Sequence, residues 1–210
     1  MRCDPFGPQG DTIARSRESA EAMNSSDQLR MTVYTALFAA LIAAGAYLAI
    51  PIGPVPIVLQ NFFVMLAGLL LGWRWGLACV GIYLLAGAIG LPVFAGGAAG
   101  IGRLAGPTGG YLLSYLPAAG IIGWISGKGK GRLLMDILAM VIGALVVYAG
   151  GVCWLKVITG MGWAKAVSAG LLPFLPGDVL KIAAAAPLAR TLRPVMAGAL
   201  SRPGEADADH

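Results

Sequence analysis

The stretch L-L-M-D-I-L-A-M-V-I-G-A-L-V-V-Y-A-G-G-V-C-W-L-K-V, residues 133–157, decides the fold class. It carries a single acid, Asp136, near one end and a single base, Lys156, near the other. An α-helix rises 1.5 Å per residue, so about 20 apolar residues cross the roughly 30 Å hydrocarbon core of a bilayer. Working outward, five more apolar stretches can be drawn, at 32–50, 57–72, 75–91, 109–126 and 178–194. Pro51 closes the first, and the short polar break Trp73, Arg74, Trp75 parts the second from the third. The expectation is an all-α membrane protein with six transmembrane helices in one domain, 31–194. Polar cytoplasmic tails are expected at 1–30 and 195–210.

Composition agrees. The chain has 210 residues, 58% hydrophobic and 12% charged, against about 25% charged in a soluble domain. Mean hydropathy is +0.77. Between Arg30 and Arg190 the only acids are Asp136 and Asp178, too little charge to cover a soluble fold. The 31 glycines suit close helix packing in lipid, and the shorter runs imply tilted or irregular helices. Residues 1–30 lack the apolar core of a signal peptide, so the first apolar helix is expected to direct insertion.

The formal charge of +5 resembles a nucleic-acid signal, but the bases cluster at the ends of apolar runs. No basic stripe of the kind nucleic-acid recognition needs is present. Eleven of the fifteen Lys and Arg residues fall on one membrane side: the N-terminal tail, Arg74, Lys128, Lys130, Arg132 and the C-terminal bases. The other side receives Arg103, Lys156, Lys165 and Lys181. The positive-inside rule then expects both termini in the cytoplasm. The outward connections are 51–56, 92–108 and 158–177, all rich in Gly and Pro. Structured loops gathered at one face suggest an outward ligand site on a rigid scaffold.

Several chemistries are not expected. The one histidine is His210, and Cys3, Cys79 and Cys153 lie far apart without a CxxC spacing. No catalytic residue, metal site or cofactor is expected. The ATP-binding signature G-x-x-x-x-G-K-[ST] does not occur, so the chain is not expected to hydrolyse ATP. G-I-G-R-L-A-G, 100–106, mimics a nucleotide loop but has no preceding strand and βαβ unit.

Binding candidates remain. Asp178 and Lys181, spaced by three, fall on one face of the last apolar helix. A charge inside the membrane costs about 2.5–3.5 kcal/mol on insertion scales. Two readings stand open: a polar ligand clamp, or a helix cap at Asp178 with a snorkelling Lys181. Arg103 sits among small residues, where it could meet a carboxylate or be solvated. G-P-T-G-G, 106–110, precedes Tyr111; Thr108 could cap the helix, and Gly109 and Gly110 could admit a ligand to backbone. Phe94, Tyr111, Tyr115 and Trp154 could line an apolar pocket or form an interfacial belt. Ala36, Ala40 and Ala44, with Ala39 and Ala43 beside them, have the small-xxx-small spacing that lets another helix approach, whether a partner's or the chain's own.

Four motifs taken in order, G-P-V-P-I-V-L-Q (53–60), G-L-P-V-F-A-G-G (90–97), G-P-T-G-G-Y-L (106–112) and P-F-L-P-G-D-V-L-K (173–181), resemble the BioY family. Its members are biotin-specific S components of energy-coupling factor transporters. The likeness spans about residues 31–194. It implies a six-helix fold in the bacterial cytoplasmic membrane with biotin bound near the extracellular side. It also implies a transmembrane T subunit and cytoplasmic ATP-binding subunits as partners. The family's D-x-x-K corresponds to Asp178 and Lys181, its loop arginine to Arg103, and its partner-facing alanines to Ala36, Ala40 and Ala44 or to the Ala39/Ala43 register. Biotin offers ureido N–H donors, an apolar ring system and a carboxylate; one acid, one or two bases and aromatic walls match it. The resemblance implies that Asp178 takes a ureido N–H, and that Lys181 or Arg103 meets the carboxylate or ureido oxygen. Rival readings are an S component for another small anionic vitamin, an independent secondary transporter, and an intramembrane enzyme.

Overall fold

The computed structural model describes residues 9–50, 54–129 and 131–200. The tail residues 1–8 and 201–210, Gly53 of the first motif and Lys130 lie outside them. Helices dominate: α1 (Gln9–Tyr47), α2 (Gln60–Ala88), α3 (Ile101–Ala105), α4 (Gly109–Lys128), α5 (Leu133–Thr159), α6 (Trp163–Gly170) and α7 (Leu175–Leu200). Two short antiparallel strands, β1 (Ala49–Ile50) and β2 (Ile57–Val58), pair Ala49 with Val58 and Ile50 with Ile57.

Several expected boundaries move. The first helix starts at Gln9 rather than 32 and stops at Tyr47, its apolar part being Ser26–Tyr47. Residues 49–50 and 57–58, expected at helix ends, are strand. The last helix runs Leu175–Leu200, through Pro187 and Pro194. The connections 92–108 and 158–177, expected to face outward, contain α3 and α6. Among the described residues three helices are long and apolar enough to cross a bilayer, or four if α6 and α7, bent by 43°, count as one broken span.

Helix α2 is continuous in name only. Gly72 has φ 75° and ψ −177°, a left-handed conformation that a side chain strains and glycine tolerates. A Cβ on Gly76 would lie 3.4 Å from Gly68 Cα, whereas eight residues of straight helix cover about 12 Å. The chain therefore folds back at Gly72, and 60–71 lies antiparallel to 73–88. Helix α4 seals this hairpin. A Cβ on Gly68 would fall 2.9 Å from the Ala119 carbonyl oxygen, and one on Gly123 would run into the Gly72–Trp73 backbone. Backbones approach this closely only where side chains are missing.

Helix α5 shows how the bundle sorts its residues. Its buried positions are Asp136, Ala139, Met140, Gly143, Ala144, Val147, Tyr148, Gly151, Val152 and Leu155, one face at spacings of three and four. Leu134, Leu138, Val141, Ile142 and Leu145 point outward, as expected where the surrounding medium is itself apolar. The small and polar residues Asp136, Ala139, Gly143, Ala144, Tyr148 and Gly151 all face in, whereas aliphatic residues occur on both faces.

The buried face of α5 begins with a charge. Asp136 is fully buried. Arg193 of α7 donates to it twice, Nη1 to Oδ2 at 2.7 Å and Nη2 to Oδ1 at 2.8 Å. Ser126 of α4 donates to Oδ1 at 2.7 Å, and Nη2 also reaches the Ser126 hydroxyl at 2.7 Å and the Leu69 carbonyl at 3.3 Å. Arg193, grouped by sequence with the topology-setting bases, is thus a clasp joining α2, α4, α5 and α7. Arg193→Ala leaves a buried carboxylate without its cation. We expect a loss of about 3 kcal/mol, the low end for a broken buried pair because the Arg193 side chain is 25% exposed. Thermal unfolding in detergent checks this, and Asp136→Asn/Arg193→Gln should cost less than the two single changes summed.

Candidate functional site

At the other end of the hairpin lies a cavity with about 570 Å³ of empty space, mouth included. It is lined by Val55, Pro56 and Val58 around β2, Gln60 and Asn61 opening α2, Ala95, Arg103 of α3, Thr108, Tyr111, Leu112 and Tyr115 at the start of α4, Val147 and Tyr148 of α5, and Phe174, Asp178 and Lys181 at α7.

Asp178 is the focus. Its Oδ1 and Oδ2 accept from Asn61 Nδ2 at 3.3 and 3.2 Å. The Tyr148 hydroxyl donates to Oδ2 over a very short contact. Lys181 Nζ donates to Oδ1 at 3.2 Å and to the Val58 carbonyl at 2.8 Å. Three elements thus converge on one carboxylate that is 5% exposed. A charge so far from water costs several kcal/mol unless a counter-charge and hydrogen bonds replace its hydration, and here both do. No backbone N–H caps are involved, so of the two open readings Asp178 is not a helix cap. Lys181 does not snorkel outward; its side chain is only 12% exposed.

The walls are aromatic. Tyr111 and Phe174 face each other with ring centroids 6.4 Å apart and planes tilted by 32°. The Tyr111 hydroxyl donates to the Gly170 carbonyl at 2.8 Å, which leaves its ring, not its oxygen, as the cavity surface. Leu112, Tyr115 and Val147 complete an apolar lining. Arg103 is half-buried at the rim, and neither of the two ion pairs among the described residues involves it.

Of the residues singled out by sequence, Asp178, Lys181, Arg103, Tyr111 and Tyr115 come together here. Phe94, Trp154, Gly109 and Gly110 do not line the cavity. Phe94 is fully buried behind it, edge-on to Tyr83 at 5.6 Å, in space left by Gly87. Trp154 Nε1 donates to the Gly106 carbonyl at 3.0 Å and so braces the G-P-T-G-G turn. Gly109 lies against the Leu104 backbone and Gly110 against Trp154 and the Gly150 carbonyl, so their missing side chains make room for the chain's own packing. Thr108 does precede α4 and belongs to the cavity lining, but its buried hydroxyl makes no capping bond. Asn61 and Tyr148 were missed. Both sit within apolar runs, and their one legible signal was a polar atom at membrane depth.

On α1 the two alanine registers separate. Ala36, Ala40 and Ala44 are exposed along one stripe, Ala39 is buried in the core and Ala43 is intermediate. The Tyr47 hydroxyl, at the end of this helix, donates to the Pro92 carbonyl of the connection over the cavity.

Comparison with known proteins identifies the chain's relatives. The BioY family model matches residues 17–198. A probable biotin transporter BioY of Pyrococcus horikoshii is 44% identical over 158 residues, covering 75% of this chain and 93% of that protein. The biotin transporter BioY of Thermotoga maritima is 40% identical over 165 residues, covering 79% and 96%. The crystal structure of the S-component for biotin from an ECF-type ABC transporter superposes with a TM-score of 0.76 at 33% identity, covering 80% of this chain and 93% of that one. With the family model matched over residues 17–198 and relatives 44% and 40% identical over most of their own length, the chain belongs to the BioY family.

Proposed function

We propose that this chain binds biotin and serves as the substrate-specific S subunit of an ECF-type importer. The observation that carries this is the carboxylate of Asp178, held at the floor of an apolar aromatic cavity with Arg103 at its rim. Biotin needs an acceptor for its ureido N–H groups, an apolar wall for its fused rings, and a cation for its carboxylate. The relatives' names and the superposed S-component support the same substrate.

The charges suggest who does what. Lys181 is already neutralised by Asp178, whereas Arg103 forms no ion pair among the described residues. Arg103 therefore meets the biotin carboxylate, where its planar fork can bond both oxygens. Asp178 receives a ureido N–H in exchange for its two uncharged contacts from Asn61, at 3.2 and 3.3 Å, while the Lys181 ammonium stays as its counter-charge. Tyr148 stays on Oδ2 and fixes the direction of the carboxylate. Tyr111, Tyr115 and Phe174 enclose the rings.

In the membrane we propose six spans: the apolar part of α1, the two arms of the α2 hairpin, α4, α5 and α7. An even number places both termini in the cytoplasm with the Arg and Lys excess, and the cavity outside. This is a bacterial cytoplasmic membrane topology. The exposed stripe of Ala36, Ala40 and Ala44 receives the transmembrane T subunit, since small residues let a foreign helix come close. ATP hydrolysis belongs to separate cytoplasmic subunits.

Radiolabelled biotin binding in detergent tests the site. Asp178→Asn and Lys181→Ala should each weaken it at least about 30-fold, the scale of truncating a buried charge pair; full affinity in both discards the assignment. Arg103→Gln should weaken biotin about 10-fold or more while leaving biotin methyl ester nearly unaffected, because the ester has no carboxylate for the guanidinium to neutralise. Equal losses for both ligands would move the carboxylate to Lys181. Ala40→Leu should keep biotin affinity but abolish co-purification of a T subunit; retention of that partner would remove the α1 stripe from the interface.

A further inference from the structure

The end of the bundle away from the cavity carries a second surface. Where α2 turns at Gly72, Trp73 and Arg74 project outward, and the last turns of α4 bring Trp124 and Lys128 to the same end. Between the two helices runs a groove with about 650 Å³ of empty space counting its open side, lined by Trp73, Leu77, Pro117, Gly120, Ile121 and Trp124. Its floor is Gly120, where a Cβ would come within 3.2 Å of the Leu77 side chain. Its walls are the two indoles, 48% and 54% exposed. From Trp124 to Pro117 the helix rises about 10 Å, room for the upper methylenes of one hydrocarbon chain.

Each indole holds a cation over its face. The Arg74 guanidinium carbon lies 5.1 Å from the Trp73 ring centroid, and Lys128 Nζ lies 3.6 Å from that of Trp124. Such contacts orient a cation without neutralising it. No carboxylate of the bundle does so either. Residues 31–189 contain only Asp136 and Asp178 as acids; both are buried, and they are taken by Arg193 and Lys181. Among the described residues neither ion pair involves Arg74 or Lys128, so both cations are open to an incoming anion. A lipid with a phosphodiester and no balancing ammonium supplies both an anion and an alkyl chain.

We propose that this groove is a site for an anionic phospholipid, its phosphate taken by Arg74 and Lys128 and one acyl chain lying between Trp73 and Trp124. The site is independent of the biotin reading. In the proposed topology it faces the cytoplasmic leaflet, where juxtamembrane bases meet anionic lipid.

The test uses the full chain in nanodiscs in which phosphatidylglycerol or phosphatidylcholine carries brominated acyl chains, with tryptophan quenching as readout. Brominated phosphatidylglycerol should quench at a much lower mole fraction than brominated phosphatidylcholine, by roughly five-fold per cation. Trp73→Phe/Trp124→Phe should remove that extra quenching, and Arg74→Gln/Lys128→Gln should abolish the preference. Should the double variant not fold, Arg74→Gln and Lys128→Gln singly should each cost about five-fold. Equal quenching by the two lipids overturns the proposal. So does a preference that survives loss of the cations, or quenching relieved as protein density in the disc rises, which would mean a second copy covers the groove.

Discussion

Two carboxylates sit where water does not reach, and the last long helix answers both. Lys181 neutralises Asp178 at one end of α7, and Arg193 neutralises Asp136 toward the other. A charge in low dielectric is tolerable only with a partner in good geometry and its remaining lone pairs filled. The bundle meets that condition twice, and each time the hydrogen bonds reach across three or more elements. Asn61 and Tyr148 are drawn toward Asp178, Ser126 and the Leu69 carbonyl toward Arg193. Helix α7, with two prolines and a bent connection to α6, thereby keeps a defined position against α2, α4 and α5. The ligand end of the bundle is polar for binding; the opposite end is polar for closure.

Between these ends the helices are held by close approach. In a lipid medium burying a leucine gains little, because the outside is equally apolar; contact itself, and hydrogen bonds, must hold helices together. That explains why Gly68 and Gly123 occupy the α2–α4 seam while α5 leaves Leu134, Leu138 and Leu145 exposed. The Gly72 turn lets two short arms form a hairpin where one long helix would carry Asn61 away from Tyr148.

This inside-out sorting also sets what could be read from sequence. The apolar runs were plain, because hydropathy alone marks them, and the D-x-x-K pair and Arg103 stood out as charges in otherwise neutral surroundings. The inward faces were not legible. With aliphatic residues on both sides of α5 there is little amphipathic contrast, so Tyr148 looked like any other residue of the run. Sequence leaves Phe94 and Trp154 open between pocket wall and interfacial belt, because an aromatic residue looks the same in either place; the packing against Tyr83 and the bond to Gly106 make both buttresses. The Asp136–Arg193 pair spans 57 positions, and spacing carries no information at that range. Helices α3 and α6 are short and lie in Gly-rich connections that resemble turns.

The bond from Lys181 to the Val58 carbonyl has a mechanical corollary. It fastens the small β-ribbon at the mouth to the same ammonium that balances Asp178. A guest that draws this ammonium toward its own oxygen loosens the ribbon; one that leaves it in place keeps the ribbon latched. Were a guest to take this ammonium, occupancy and the hold on the ribbon would be linked, and a guest that competes for the lysine would differ from one that merely fills the space.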